Sequence, residues 1–147
     1  MKNYTTDVPV EKTMAEIQKL LVENGAKGIA LEYDEQGTIK DLFFKIVVQG
    51  KELPFRLPAK PDKVYSSLHG GAPSYHHDRY GMHWRTEAER IAWRICKSWL
   101  EAQITLIHLE QASIDEIFLP YLIVGKNNEN LYEVMKDNHY QLPDGSE

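Results

Sequence analysis

The sequence predicts an α+β fold, a single domain over residues 1–147, and three observations carry that expectation. Apolar residues recur at helical spacing near the N-terminus. A ten-residue stretch alternates apolar and polar side chains as a strand does, and a second, longer helical pattern follows it. The expected order is an N-terminal helix, a three-stranded antiparallel meander, a long amphipathic helix and short C-terminal helices.

Val10, Met14, Ile17 and Leu21 form the first helical stripe, with Leu20 widening it. Asp7 and Pro9 suit a helix start, and Asn24-Gly25 supplies a stop, because glycine takes a left-handed backbone without strain. Ile29 to Tyr33 reads as a short strand, and Asp34-Glu35-Gln36-Gly37 as a turn. Along Ile39 to Val48 the residues Leu42, Phe44, Ile46 and Val48 share one face, with Phe43, Lys45 and Val47 on the other. Gln49-Gly50 turns the chain into Glu52–Leu57, where Leu53, Phe55 and Leu57 face one way and Arg56 the other. Pro54 has no N–H to give a ladder, which makes this an edge strand or a short one. Asp62 to Leu68 can form a short helix.

The segment 69–84 is read as a flexible loop rich in histidine and aromatic residues. Thr86 with Glu89 has capping-box spacing, placing a helix start there, and the pattern can run to Gln111. Ala88, Ile91, Ile95, Trp99, Ala102, Leu106 and Leu109 form its expected core stripe. Trp93 lies off that stripe, which points to a second packing layer or a subunit interface. Ser113–Leu119 and Leu131–Lys136 can form short helices, and residues 142–147 a frayed tail.

The chain has 147 residues, 42% of them hydrophobic and 27% charged, enough to bury a core without metal or disulfide staples. Cys96 is the only cysteine and has no internal partner, so a reducing compartment fits, and its helical position suggests a buried, inert thiol. No apolar run approaches the roughly 20 residues that span a bilayer. The N-terminal residues lack the apolar stretch of a signal peptide. The expectation is a cytoplasmic protein with no membrane partner.

Charge is distributed unevenly. All five arginines, Arg56, Arg79, Arg85, Arg90 and Arg94, fall in the middle third of a chain whose net charge is −5. Residues 51–97 hold nine Lys and Arg against five Asp and Glu. Arg90, Arg94 and Lys97 share one face of the long helix, and Arg85 lies near its N-terminus, where free N–H groups also favour anions. Arginine forks suit phosphate, and Tyr80 and Trp84 beside Arg79 and Arg85 are the mix that stacks bases and grips phosphates. These eight residues form the expected ligand-binding set, for a nucleotide or nucleic acid, or for an acidic host-protein surface. The bland alternative is a solvated helix face paired with Glu87, Glu89 and Glu101. His76, His77, Asp78 and His83 are weak metal candidates, since no second His/Cys pair with diagnostic spacing follows them. No cofactor is implied. Glycine-rich phosphate loops, GxSxG, HExxH and CxxC patterns are all absent, so an enzyme is not expected. An apolar Trp93 beside three cations favours a homodimer, or a higher homo-oligomer, through the long helix.

Several runs together carry a resemblance: YTTDVPVEKT at Tyr4–Thr13, PFRLPA at Pro54–Ala59, ERIAWRICKSWLEAQ at Glu89–Gln103, FLPYLIV at Phe118–Val124 and LYEVMKDN at Leu131–Asn138. The chain resembles a family of small, largely uncharacterised proteins of tailed phages and prophages, along nearly its whole length except 69–84. That resemblance implies a phage accessory protein in the cytoplasm of an infected or lysogenic bacterium. Its expected work is replication or recombination, with a single-strand DNA accessory factor as one form of it, or anti-defence. In the latter role it would inhibit a host complex by contact or sequester a nucleotide signal.

Overall fold

The structure is a computed structural model that describes residues 8–70 and 83–142, the side chains of residues 69 and 83–85 excepted. Helix α1 (Val10–Glu23) starts on the extended Pro9 and buries Val10, Met14, Ile17 and Leu21, the expected stripe. It stops at Asn24, whose side-chain amide donates to the Leu20 carbonyl at 2.7 Å. Gly25 then takes φ +104°, a conformation that turns the chain straight into the sheet.

Strands β1 (Ala26–Tyr33), β2 (Ile39–Val48) and β3 (Lys51–Pro58) form an antiparallel meander in the order β1-β2-β3. β1 begins at Ala26, three residues before the expected Ile29. Ala26 pairs with Ile46 and Gly28 with Lys45 across a bulge, so the partner strand draws these weak strand formers into the ladder. Between β1 and β2 the Asp34 carboxylate accepts the N–H groups of Gln36 and Thr38, both at 2.9 Å. The β2–β3 hairpin turns through Gln49 and Gly50, both at positive φ, the geometry that matches strand twist.

The alternation in β2 holds: Leu42, Phe44 and Ile46 are buried, joined by Phe55 and Leu57 of β3. Phe44 and Phe55 stack at 5.2 Å between ring centres. Phe118, from helix α4 (Ile114–Phe118), meets Phe44 edge-on, also at 5.2 Å. β3 is the sheet edge, as Pro54 requires. Its Pro54 carbonyl, pointing off the sheet, accepts the Ile123 N–H at 2.9 Å, and Phe55 bridges to Leu122. The C-terminal segment thus covers this edge.

Helix α2 (Pro61–His69) opens on a proline in its first turn and ends on Gly70 at φ +72°. Helix α3 (His83–His108) starts three residues before Thr86 and stops three short of Gln111. His83-Trp84-Arg85 contains no Gly or Pro to end the helical pattern at Thr86, and Glu110 at φ +59° turns the chain beyond the other end. Its buried face is rotated from the expected stripe. Ala88 and Ile91 are buried as expected, but Ile95, Leu106 and Leu109 are exposed, and Trp93, Leu100 and Ile104 take their places. Trp93 is wholly buried, donating its indole N–H to the Ile39 carbonyl of β2 at 3.2 Å. It is a core residue, and the interface expected from it loses its basis. Trp99 is half-buried and meets Phe118 and Tyr121 edge-on.

Helix α5 (Leu131–Asp137) follows a turn in which Asn127 and Asn128 adopt left-handed φ of 58° and 61°. Capping boxes open both short helices, Ser113 with Glu116 and Asn130 with Glu133.

Candidate functional site

The arginines that sequence reading gathered into one surface are drawn into separate structural clasps. Arg56, on the face of β3 away from the hydrophobic core, places one guanidinium nitrogen 2.8 Å from an Asp41 carboxylate oxygen. Another meets Glu133, and Nε donates to the Asn128 carbonyl at 3.0 Å. Each of the three nitrogens of the fork therefore faces a protein group, and the Arg56 and Asp41 side chains are only 12% and 10% exposed. Glu133 serves twice, because the oxygen that meets Arg56 also accepts the Asn130 N–H of its capping box at 3.0 Å. Burial pulls the Glu133 carboxyl upward, but the hydrogen bonds from Arg56 and Asn130 outweigh it and hold its pKa below the usual value.

Arg94 and Lys97 form the second clasp, around Glu16 of α1. Arg94 reaches it at 3.1 Å and Lys97 meets the same oxygen, with Glu101 3.7 Å from Lys97 on its other side. The Lys97 hydrogen bond, opposed by some desolvation and helped by Arg94, lowers the Glu16 pKa. Arg90 completes this row on α3. Its Nε is buried and has no hydrogen-bond partner among the described residues, a state shared only with the Thr13 hydroxyl. Arg79, Tyr80, His76, His77 and Asp78 lie outside the described residues, and the side chains of His83, Trp84 and Arg85 do too. Among the described residues no group of three His, Cys, Asp or Glu is placed to hold a metal ion.

A cleft of ≈ 860 Å³ lies between the end of β3, α2, α3 and the C-terminal segment. Trp99, Tyr121 and Tyr132 give it aromatic walls, and Ala92, Ile95 and Pro120 add apolar surface. Lys60, Lys63 and Lys136 stand around it, and no ion pair found among the described residues engages them. Glu129, Glu133 and Asp137 supply acceptors on the same lining. Cys96 contributes to the wall, but burial pushes its thiol up to about 12, which leaves it protonated and unreactive at neutral pH. The volume is in the range of small-ligand sites, and the lining mixes apolar walls with a few polar groups as such sites do.

None of the three lysines was a sequence-level candidate, because each lies in an ordinary charged stretch. What brings them together is the C-terminal segment folding back against β3, through backbone bonds that no local pattern encodes. A partial signal existed in the Asn130-x-x-Glu133 capping box, which places α5 and hence Tyr132 and Lys136. No helix among the described residues is long and apolar enough to cross a membrane. No family model, characterised protein or solved structure matches the chain.

Proposed function

We propose that this protein is a non-enzymatic binding protein for a phosphate-bearing small ligand of nucleotide type, held in the cleft between α2, α3 and α5. The observation that carries the reading is the combination of aromatic walls with three lysines that form no close ion pair among the described residues, only Lys60 feeling the charge of Glu133. An aromatic base would lie against Trp99 or Tyr132, its phosphate near Lys60 and Lys63, and its amino or hydroxyl donors near Glu129 and Asp137. A ligand of this kind needs both charge signs in one site, which a polyanionic strand does not. The net charge of −5, and the commitment of Arg56, Arg94 and Lys97 to internal carboxylates, weigh against broad nucleic-acid binding. In the phage setting that the sequence resemblance implies, such a binder would sequester a nucleotide signal.

Calorimetry with AMP, ADP-ribose and a cyclic dinucleotide tests the assignment. At least one of them should bind, and Lys60→Ala/Lys63→Ala should weaken it tenfold or more, with Tyr132→Ala weakening it less. Arg90→Ala should leave affinity unchanged. No heat at about 1 mM ligand, or affinity lost only in Arg90→Ala, would overturn the cleft as the site.

A further inference from the structure

The two edges of the sheet are treated differently. The β3 edge is met by Leu122 and Ile123. β1, the other edge, pairs with β2 alone among the described residues. The outward backbone groups of this eight-residue edge strand have no partner strand among the described residues and form a template for another strand, and β1 contains no proline to blunt it. Ile29 and Leu31 turn toward the core, opposite Phe44 and Leu42, yet remain only half-buried, with no strand on their outer side among the described residues.

We propose that β1 pairs antiparallel with β1 of a second copy of this chain, about a two-fold axis at Ala30. In that register Ile29 of each protomer stands beside Leu31 of the other, so the apolar row on the core face continues across the axis. Ala30, exposed and small, meets its own symmetry mate without a clash. Gly28 stands opposite Glu32, and no atom lies within 4 Å of the position a Cβ would occupy at Gly28, which leaves the Glu32 side chain room. Charge favours the antiparallel direction. The strand carries Lys27 near its start and runs into Glu32, Asp34 and Glu35, so its basic start meets the partner's acidic end. A parallel, in-register pair would set Lys27 against Lys27 and Glu32 against Glu32. The sheet becomes six-stranded and continuous, and the two clefts, on the β3 side of each protomer, stay open.

Native mass spectrometry and light scattering of the full chain test this, together with two variants of Ala30. The expected result is a dimer that Ala30→Lys converts to monomer with an unchanged circular dichroism spectrum, because two like charges meet on the axis. Ala30→Cys should form a cross-linked dimer on mild oxidation, since directly opposed strand residues lie about 4.5–5.5 Å apart between Cα atoms, within disulfide reach. Val47→Cys, on another strand, should not. A monomer at about 100 µM, or a dimer that survives Ala30→Lys and leaves Ala30→Cys uncross-linked, overturns the proposal. Neither outcome bears on ligand binding in the cleft, so the two assignments fail separately.

Discussion

Two three-membered charge clusters tie distant parts of this chain together, and they are built with opposite arithmetic. At β3, one arginine stands between two carboxylates, Asp41 and Glu133, and joins the sheet to α5. At α3, one carboxylate, Glu16, stands between two cations, Arg94 and Lys97, and joins α1 to α3. The first is nearly closed to solvent at its arginine, whereas in the second Arg94 and Glu16 remain 35% and 30% exposed. Water can replace Arg94 as a partner of Glu16 in the second cluster, whereas in the first Arg56 and Asp41 are nearly closed to it and only Glu133 is open to solvent. The same residue type, from the same basic third of the chain, is therefore indispensable in one place and dispensable in the other.

The sharpest way to break this contrast is Arg56→Met. It removes the cation that bridges Asp41 and Glu133 and leaves the Asn128 carbonyl without that donor. Breaking a buried pair from one side costs on the order of 3 kcal/mol, since the remaining charge stays desolvated. Urea denaturation should show that loss, and a loss below about 0.5 kcal/mol would mean the cluster behaves like a surface pair. Gly125→Ala attacks the same clasp sterically. A Cβ there would lie 2.9 Å from Glu129 Cβ and 3.1 Å from a Val134 methyl, so the turn leading into α5 must shift. Overpacking of this kind costs about 1–3 kcal/mol, again read by denaturation, and it should also weaken ligand binding by displacing Tyr132 and Lys136.

Acid offers a third comparison. The folded pKa values of Glu133 and Glu16 both lie below the ordinary 4.5. Each therefore contributes stability that is fully present above that pH and is lost as pH falls through the folded value. The Glu133 share depends on Arg56. Between pH 4.5 and the acid unfolding limit, Arg56→Met should flatten the slope of stability against pH, and an unchanged slope would show that Glu133 is held by its capping box and Lys60 instead.

How far the sequence reveals these arrangements depends on the range of the interactions. The alternation of Leu42, Phe44 and Ile46, the Val10–Leu21 stripe and the edge placement of Pro54 are local consequences of backbone geometry, and the structure follows them. The face of α3 is not local. That helix packs α1 and the sheet on one side and meets Phe118 and Tyr121 through Trp99 on another, so a single 3-4-3 stripe cannot describe it. Trp93 is placed by a carbonyl 54 residues away, and Arg56 by carboxylates 15 and 77 residues away. Confinement of the arginines to one third of the sequence is a true compositional signal. Its meaning changes once their partners are known, because Arg56 and Arg94 secure the N- and C-terminal segments to the middle of the chain.

The smallest expected effect completes the comparison. Glu16→Gln keeps the shape of the α1–α3 contact and removes its charge. Arg94 can then turn to water, and Lys97 retains Glu101 within 3.7 Å. Stability should fall only slightly, and even that difference should vanish in high salt, which screens exposed pairs. Cys96 provides an internal reporter that separates this case from the clasp at β3. Its half-buried thiol lines the cleft and burial holds it protonated, so labelling by a thiol reagent at neutral pH should be slow in the folded chain and should quicken when the C-terminal segment loosens. Glu16→Gln should leave the labelling rate as in the unaltered protein, while Arg56→Met should raise it by roughly the factor that its lost stability implies. Equal acceleration by both substitutions would show that opening is global and that the two clusters do not guard separate parts of the fold.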